Sequence, residues 1–195
     1  MADVTDRLAA LLVALAHDPT LHGQPLAEQF GSLVDRLQAN EITEVQFQEL
    51  AQSALAGLYT NSYTDGLQEV AGPGAELTNA SLDHIEALVR EQEPYLADFG
   101  AAVVASTGSM DYAQRAQMYE DSAHRAYQTG ALAGAIEQGL ITEIGWNAEE
   151  DDETCDPCQE AAAGSPYGSP DELPGLPGYP FCDGGNNCRC TLSFR

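Results

Sequence analysis

Apolar residues recur at intervals of three and four through the first two thirds of the chain, the spacing that puts them on one face of an α-helix. Such stripes cover residues 8–15, 26–37, 45–63, 82–89 and 112–132. No stretch of useful length alternates between apolar and polar positions before Ile141. The pattern therefore predicts a mainly α fold, with a helical bundle over residues 1–140.

Local signals mark several helix ends within this bundle. Thr43 and Gln46 have the spacing of a capping box, in which each side chain bonds the backbone N–H of the other residue. A further helix is expected to begin near Ser81, and Pro94 is expected to kink or split it, because proline has no N–H to donate. The stretch 111–136 is predicted to form one continuous helix.

From Ile141 onward the composition changes to acidic residues, Gly, Pro, Asn and cysteine. The segments 141–146 and 189–194 are short and β-prone, which predicts that they pair as a small β-hairpin or two-stranded sheet. Between them, residues 159–181 are so rich in Pro and Gly that they cannot bury a core by themselves. We expect a second domain at 141–195, a Cys-rich C-terminal module. It needs a cross-link between its segments, which we call a staple.

All five cysteines lie in this module, with the spacing C-x2-C-x23-C-x5-C-x-C: Cys155, Cys158, Cys182, Cys188 and Cys190. A C-x2-C pair followed by a second cysteine cluster is the usual form of a tetrahedral zinc site, because each close pair supplies two thiolates to one ion. Cys155 and Cys158 form the first half of the predicted metal site, and Cys182 with either Cys188 or Cys190 forms the second. Spacing does not choose between the last two. A structural zinc ion would also explain how so polar a segment folds, since its binding contributes on the order of 10 kcal/mol.

The sequence alone also allows other chemical states of these cysteines. They can form disulfides or remain unlinked thiols, although an odd number argues against a purely disulfide design. Cys155 and Cys158 also have the spacing of a redox-active C-x-x-C pair, in which a following helix would lower the pKa of the first thiol. That chemistry is expected beside a βαβ pattern, and the preceding chain shows none. The histidines are interpreted as surface or cap residues: His17, His22, His84 and His124.

The charge balance excludes some functions. The chain has 31 acidic residues and 7 basic ones, all of them arginine, for a formal net charge of −24. Such a surface repels nucleic-acid backbones, because affinity for them rests on Lys and Arg neutralising phosphates. The acidity fits either a halophilic source or a basic partner. The longest apolar run, residues 8–16, is short for a bilayer and follows a net negative start, so neither a membrane span nor a secretory signal is expected.

The end of the chain resembles a known family. Trp146 is followed by an acidic turn, by the C-x2-C pair, by a loop containing ELPGLPGYP, and by N-C-R-C-T-L from Asn187. This order is similar to the C-terminal signature of the phage Mu F-like minor head proteins, the phage head morphogenesis family. The run RAQMYEDSAHRAYQTGALAGAIEQGL at 115–140 is similar to the helix that precedes the signature. The resemblance covers residues 110–195. Where the family has His before P-N-C-R-C, this chain has Cys182 and an inserted D-G-G, and a thiolate can replace a histidine at zinc.

The resemblance implies a structural virion protein of a tailed virus, assembled in the host cytoplasm and built into the head near the portal. Its partners would be capsid or portal proteins of the same virus, with multiple copies per virion. In line with the charge balance, we expect no direct sequence-specific contact with nucleic acid and no membrane partner. Leu192 and Phe194 are candidate contacts to a neighbouring subunit, as part of an edge strand or as a hydrophobic anchor. No catalytic motif occurs, so we expect no enzyme activity. The alternatives are a small intracellular thiol-disulfide oxidoreductase and a standalone acidic interaction module.

Overall fold

The computed structural model of the protein describes residues 3–12, 21, 24–105, 111–149, 151, 154–178, 181–183 and 188–195. The fold is mainly α, as the apolar pattern predicts. The helices are α1 (Val4–Leu11), α2 (Leu26–Gln38), α3 (Glu44–Ala71), α4 (Asn79–Ala105), α5 (Tyr112–Asp121), α6 (Ala123–Glu137) and α7 (Asp156–Gly164). The strands are β1 (Ile144–Asn147) and β2 (Thr191–Phe194), and a short 3-10 helix covers Pro170–Glu172. The predicted extension of the first helix to Leu15, together with His17 and His22, lies outside the described residues.

The chain divides into two compact units. The first comprises Met1–Thr60 and Leu77–Glu120, and the second comprises Asn61–Glu76 and Asp121–Arg195. The second unit therefore contains more than the segment 141–195 that composition marks out, because it also takes in α6 and the last part of α3. The physical reason is that α6 packs closely against the end of α3.

An aromatic cluster forms the core of the first unit. Phe30 and Phe47 are fully buried, as is Phe99, and the Phe30 ring stacks on Tyr119 with centroids 5.2 Å apart. Phe99 meets Phe47 edge-on at 5.5 Å, a favoured geometry because ring edges are positive and ring faces negative. Arg115 lies over the Phe99 ring at 4.8 Å, so the cluster ends in a cation–π contact.

The predicted capping box is confirmed at the start of α3. The Gln46 backbone N–H donates to Thr43 Oγ1 at 3.2 Å, and the Thr43 N–H donates to Gln46 Oε1 at 2.9 Å. The helix α4 begins in a related way at Thr78, whose hydroxyl accepts from the Ser81 N–H at 3.2 Å. Pro94 does not split α4. Buried apolar residues on both sides of the proline anchor the helix, and this burial offsets the one hydrogen bond that the proline cannot donate.

One predicted helix is two in the structure. The stretch 111–136 breaks at Ser122, between α5 and α6. Asp121 and Ser122 both compete with helical hydrogen bonding through their side chains, which makes this point the weakest in the stretch. The break coincides with the passage of the chain from the first unit to the second, after Glu120.

Glycines bring α6 onto the end of α3 in the second unit. A Cβ atom added at Gly66 would lie 2.0 Å from the Tyr127 carbonyl oxygen, and one added at Gly130 would lie 2.0 Å from that of Tyr63. Gly134, one turn further along α6, would place its Cβ 2.8 Å from the Leu67 carbonyl oxygen. The two helix backbones therefore touch directly, which only residues without a side chain permit.

The predicted small sheet is confirmed in the C-terminal module. Strands β1 and β2 pair antiparallel, with Ile144 opposite Phe194 and Trp146 opposite Leu192. On its other side, β1 exchanges backbone hydrogen bonds with Tyr167, at 2.8 and 2.9 Å to Ile144. The Pro-rich segment is thus attached to the sheet rather than left without backbone partners at this point.

Substitution of Gly130 by alanine tests the backbone contact between α3 and α6. We expect Gly130→Ala to lower the free energy of unfolding by about 1–3 kcal/mol or more, because its Cβ has no room beside Tyr63. Gly31→Ala in α2 is the control, since a Cβ there meets no atom of the described residues within 4 Å and should add up to about 1 kcal/mol of helix stability. Urea unfolding followed by circular dichroism measures both. Equal effects of the two substitutions would contradict the contact.

Candidate metal centre

The five cysteine sulfurs converge at one place in the C-terminal module, and we call them the thiol cluster. Cys155, Cys158 and Cys182 form one triad whose sulfurs all lie within 4.8 Å of one another. Cys158, Cys188 and Cys190 form a second triad that meets the same limit. Cys158 is the member common to both. The structure thus brings together every residue of the predicted metal site.

The C-x2-C pair lies at the beginning of α7. Cys155 is the residue before the first turn, and Cys158 lies three positions later, the separation at which side chains at a helix start meet on one side. Pro157 suits the first turn, where its missing N–H is not needed for helical bonding. The unpaired N–H groups and the positive dipole of a helix start favour negative charge, such as that of a thiolate.

The last two cysteines reach the cluster through strand alternation. Residues two apart on an extended chain point to the same side, so Cys188 and Cys190 share a side with Leu192 of β2. All three are buried, whereas the intervening Arg189 and Thr191 are exposed. Cys182 is held by its own backbone N–H, which donates to the Gly178 carbonyl at 3.0 Å.

The thiol cluster is also the core of the module. The buried residues packed together there are Ile144, Trp146, Cys158, Ala161, Cys182, Cys188, Cys190 and Leu192. Cys158 is 1% exposed, and Phe181 meets the Trp146 ring edge-on at 5.2 Å. Trp146 therefore packs against the cysteines, as a lone tryptophan beside a small polar segment would be expected to do.

Burial raises the pKa of three of these thiols. Desolvation is the largest cause of a raised pKa at Cys158, at Cys190 and at Cys182, where the pKa reaches about 12. Neighbouring thiols add to the effect at Cys158 and Cys182. A backbone hydrogen bond from Glu149 lowers the pKa of Cys190, against the larger effect of burial.

The sulfur separations fit metal coordination better than they fit disulfides. Cys155 Sγ and Cys182 Sγ are 3.3 Å apart, and Cys158 Sγ and Cys188 Sγ are 3.9 Å apart. Two sulfurs bound at about 2.3 Å to one tetrahedral zinc ion lie roughly 3.8 Å from each other, whereas bonded sulfurs lie at about 2.05 Å. All five cysteines are thiols in the structure. The cluster can hold a metal ion.

Two polar residues of α6 attach β2 to the helix, and sequence reasoning missed both. His124 Nε2 lies 2.7 Å from the Cys190 carbonyl oxygen, and Gln128 Oε1 accepts from the Leu192 N–H at 3.0 Å. Since a carbonyl only accepts, the histidine must carry its proton on Nε2. His124 therefore supports the cysteine segment through a hydrogen bond. It is not the surface or cap residue that we expected. His84 is exposed in the first unit, as expected.

These contacts change the interpretation of the terminal strand. Leu192 is only 9% exposed, and its N–H is already bonded to Gln128. Phe194 is half-buried and packs against the same core. Neither the edge strand nor the Leu192 anchor that the sequence suggested is available along this part of β2. The reason is that the α6 side chains occupy its outer edge, which unprotected strands leave open to partners.

An ion pair involves the residue between the last two cysteines. Arg189 lies between the last two cysteines and donates to Asp151 at 2.6 Å, and both side chains are about half exposed. Such an exposed pair contributes little to stability, in the range of about 0–1 kcal/mol. It connects the acidic segment before α7 with the segment that carries Cys188 and Cys190.

No family model, curated protein or solved structure matches this chain. Within the described ranges, none of the helices is both long enough and apolar enough to cross a membrane.

Replacement of Gln128 by methionine tests the attachment of β2. Methionine has a similar length but cannot accept the Leu192 N–H, so we expect a loss of about 1–3 kcal/mol in the free energy of unfolding. Hydrogen exchange at the Leu192 amide should also accelerate. Gln138→Met, at the exposed end of the same helix, is the matched control and should change neither quantity. Unchanged exchange at Leu192 in Gln128→Met would show that this hydrogen bond does not hold the strand.

Proposed function

We propose that the thiol cluster binds one structural zinc ion that staples the C-terminal module. The observation that carries this proposal is the convergence of all five thiols in a core where four of eight buried residues are cysteines. Zinc is the ion that four-thiolate structural sites bind most commonly, and it is not a redox centre. Its binding free energy would add directly to the stability of a module with a small core.

Three of the four ligands in this proposal are Cys155, Cys158 and Cys182, which already form a triad. The fourth is Cys188 or Cys190, both within 4.8 Å of Cys158. Closing a tetrahedron requires only that one of these two sulfurs moves toward the first triad. Cys188 is already at a tetrahedral separation from Cys158, at 3.9 Å.

Metal content and thiol reactivity test the staple. In protein purified in reducing buffer, we expect one zinc ion per chain by elemental mass spectrometry and four thiols protected from a thiol reagent until a chelator is added. Chelation should also change the fluorescence of Trp146, the only tryptophan, because it packs against the cluster. Comparison of Cys188→Ser with Cys190→Ser identifies the fourth ligand as the one whose loss weakens zinc binding. Absence of zinc with five reactive thiols would overturn the proposal.

At the level of biological role, we propose a structural minor head protein of a tailed virus that acts through protein–protein contacts. Its support is the resemblance of residues 110–195 to the phage Mu F-like family, together with two features of the chain. The net charge of −24 disfavours direct binding to packaged DNA. The thiol cluster fits a scaffold role, since a stapled module keeps its form without a large core.

Burial of the thiols favours a structural role over thiol-disulfide exchange. An exchanging C-x-x-C pair needs an accessible nucleophilic sulfur, and Cys158 is 1% exposed while Cys155 is half-buried. In addition, both sulfurs have partners in the opposite half of the cluster, Cys188 and Cys182 respectively.

Co-purification tests the biological role. We expect the chain to co-purify with portal or major capsid proteins when it is co-expressed with those encoded beside it, and to be present in gradient-purified heads by mass spectrometry. Contact should be lost in Cys158→Ser, which removes the thiol common to both triads. It should be kept in Gly31→Ala, whose added methyl group has no neighbour within 4 Å in the part of the chain that the structure describes. Folded protein that is absent from heads and associates with neither protein would leave a standalone interaction module as the better account.

A further inference from the structure

The two triads of the thiol cluster differ from a single four-sulfur site. Each triad holds three sulfurs within 4.8 Å of one another, neither triad contains a fourth thiol, and Cys158 belongs to both. One tetrahedral ion would use four of the five thiols and leave the other without a role. Two three-coordinate ions that share one sulfur would use all five. The arrangement therefore has the connectivity of a thiolate-bridged pair of ions.

We propose that the thiol cluster is also a binding site for two copper(I) ions, one in each triad, with the Cys158 thiolate bridging them. Copper(I) belongs to the soft ions that thiolate ligands select, and it accepts three sulfur ligands, whereas zinc requires four. Thiolates bridge soft ions readily, because one sulfur has more than one lone pair to donate. This inference rests on the proposed metal staple and extends it to a second ion class and a second stoichiometry.

The position of Cys158 suits a bridging ligand. It is the most deeply buried of the five cysteines, at 1% exposed, and it lies in the first turn of α7 between the two other pairs. Cys155 and Cys182 approach each other on one side of it at 3.3 Å, and Cys188 lies on the other at 3.9 Å. Each thiol that binds gives up its proton to the buffer, and copper stays in the +1 state, so binding involves no electron transfer.

The cluster is also shielded in the way that copper(I) requires. Four of its thiols are buried, and the side chains of Trp146 and Leu192 pack against them. This burial excludes water and oxidants that would convert copper(I) to copper(II). The remaining thiol, Cys155, is half-buried, which leaves a route for the ions to enter.

The decisive measurement is stoichiometry by native mass spectrometry. Metal-free, reduced full-length protein is titrated under anaerobic conditions with copper(I) delivered from a weak complex, and separately with zinc. We expect two copper(I) ions and one zinc ion per chain. One zinc and one copper would overturn the inference while the proposed staple stands, and neither metal bound would overturn both.

Variants and X-ray absorption distinguish a bridged pair from two separate ions. Wild-type protein loaded with copper(I) should show a copper–copper scattering path, and Cys158→Ser should lose it. Cys182→Ser and Cys190→Ser each damage one triad, so each should bind one copper(I) ion instead of two. Circular dichroism confirms that the helices persist in each variant. Two copper ions without a copper–copper path in the wild type would rule out the bridge.

Discussion

The clustering of thiols around Cys158 is the interaction on which the C-terminal module depends. Four of the eight buried residues in the core of the module are cysteines, so the packing of this core cannot be separated from the state of its sulfurs. A chain segment with so much Pro, Gly and acid buries little apolar area of its own, and the order of its loops must come from elsewhere. The segments that contribute sulfur are the start of α7, the chain at Cys182 and the approach to β2. A link between the sulfurs would therefore also link these three chain segments.

The surrounding structure positions both halves of the cluster. The first half is fixed at the start of α7, where Cys155 is the residue before the first turn and Cys158 lies within that turn. In the second half, Cys188 and Cys190 are positioned by β2, which pairs with β1. On the other edge, His124 bonds the Cys190 carbonyl just before the strand, and Gln128 bonds the Leu192 N–H within it. Because these two residues are four apart, they lie on one face of α6. The same helix is fixed in turn by the backbone contact of Gly130 with α3. A prearranged site of this kind loses less entropy on binding an ion than one assembled from a disordered loop.

Much of this arrangement could be predicted from the sequence, because its signals are local. The apolar stripes predicted the helices, the Thr43 and Gln46 pair predicted the start of α3, and the β-prone segments predicted the sheet. The cysteine spacing predicted which residues would converge. Each of these signals depends on residues that are close in sequence or on a single residue type with strong pairing chemistry.

The features that could not be predicted depend on distant partners. His124 and Gln128 contact residues 66 and 64 positions away, and nothing in their own helix identifies those partners. The one local hint was a polar pair four apart on a helix otherwise rich in Ala and Gly. Likewise, Gly130 and Gly134 lower helix propensity, and their spacing indicates a close helix contact without saying which helix makes it. The break at Ser122 also depends on more than local sequence. Asp121 and Ser122 are weak helix formers, and they end a helix here because the chain passes from one unit to the other.

The hydrogen bond between Leu192 of β2 and Gln128 of α6 bears on how the proposed partner would bind. Strand addition needs unpaired N–H and C=O groups, and α6 bonds one such group within β2, the Leu192 N–H, and one just before it, the Cys190 carbonyl. Large apolar side chains are instead exposed on the helices or next to their ends: Val45, Tyr95, Val104, Met118, Ile136 and Leu140. Against a chain with a net charge of −24, a partner would have to combine apolar contact with basic groups at the rim. For the proposed partner, recognition by helix faces is therefore the mode that fits the exposed chemistry, and the proposed role of the thiol cluster is to stabilise the unit that contains α6.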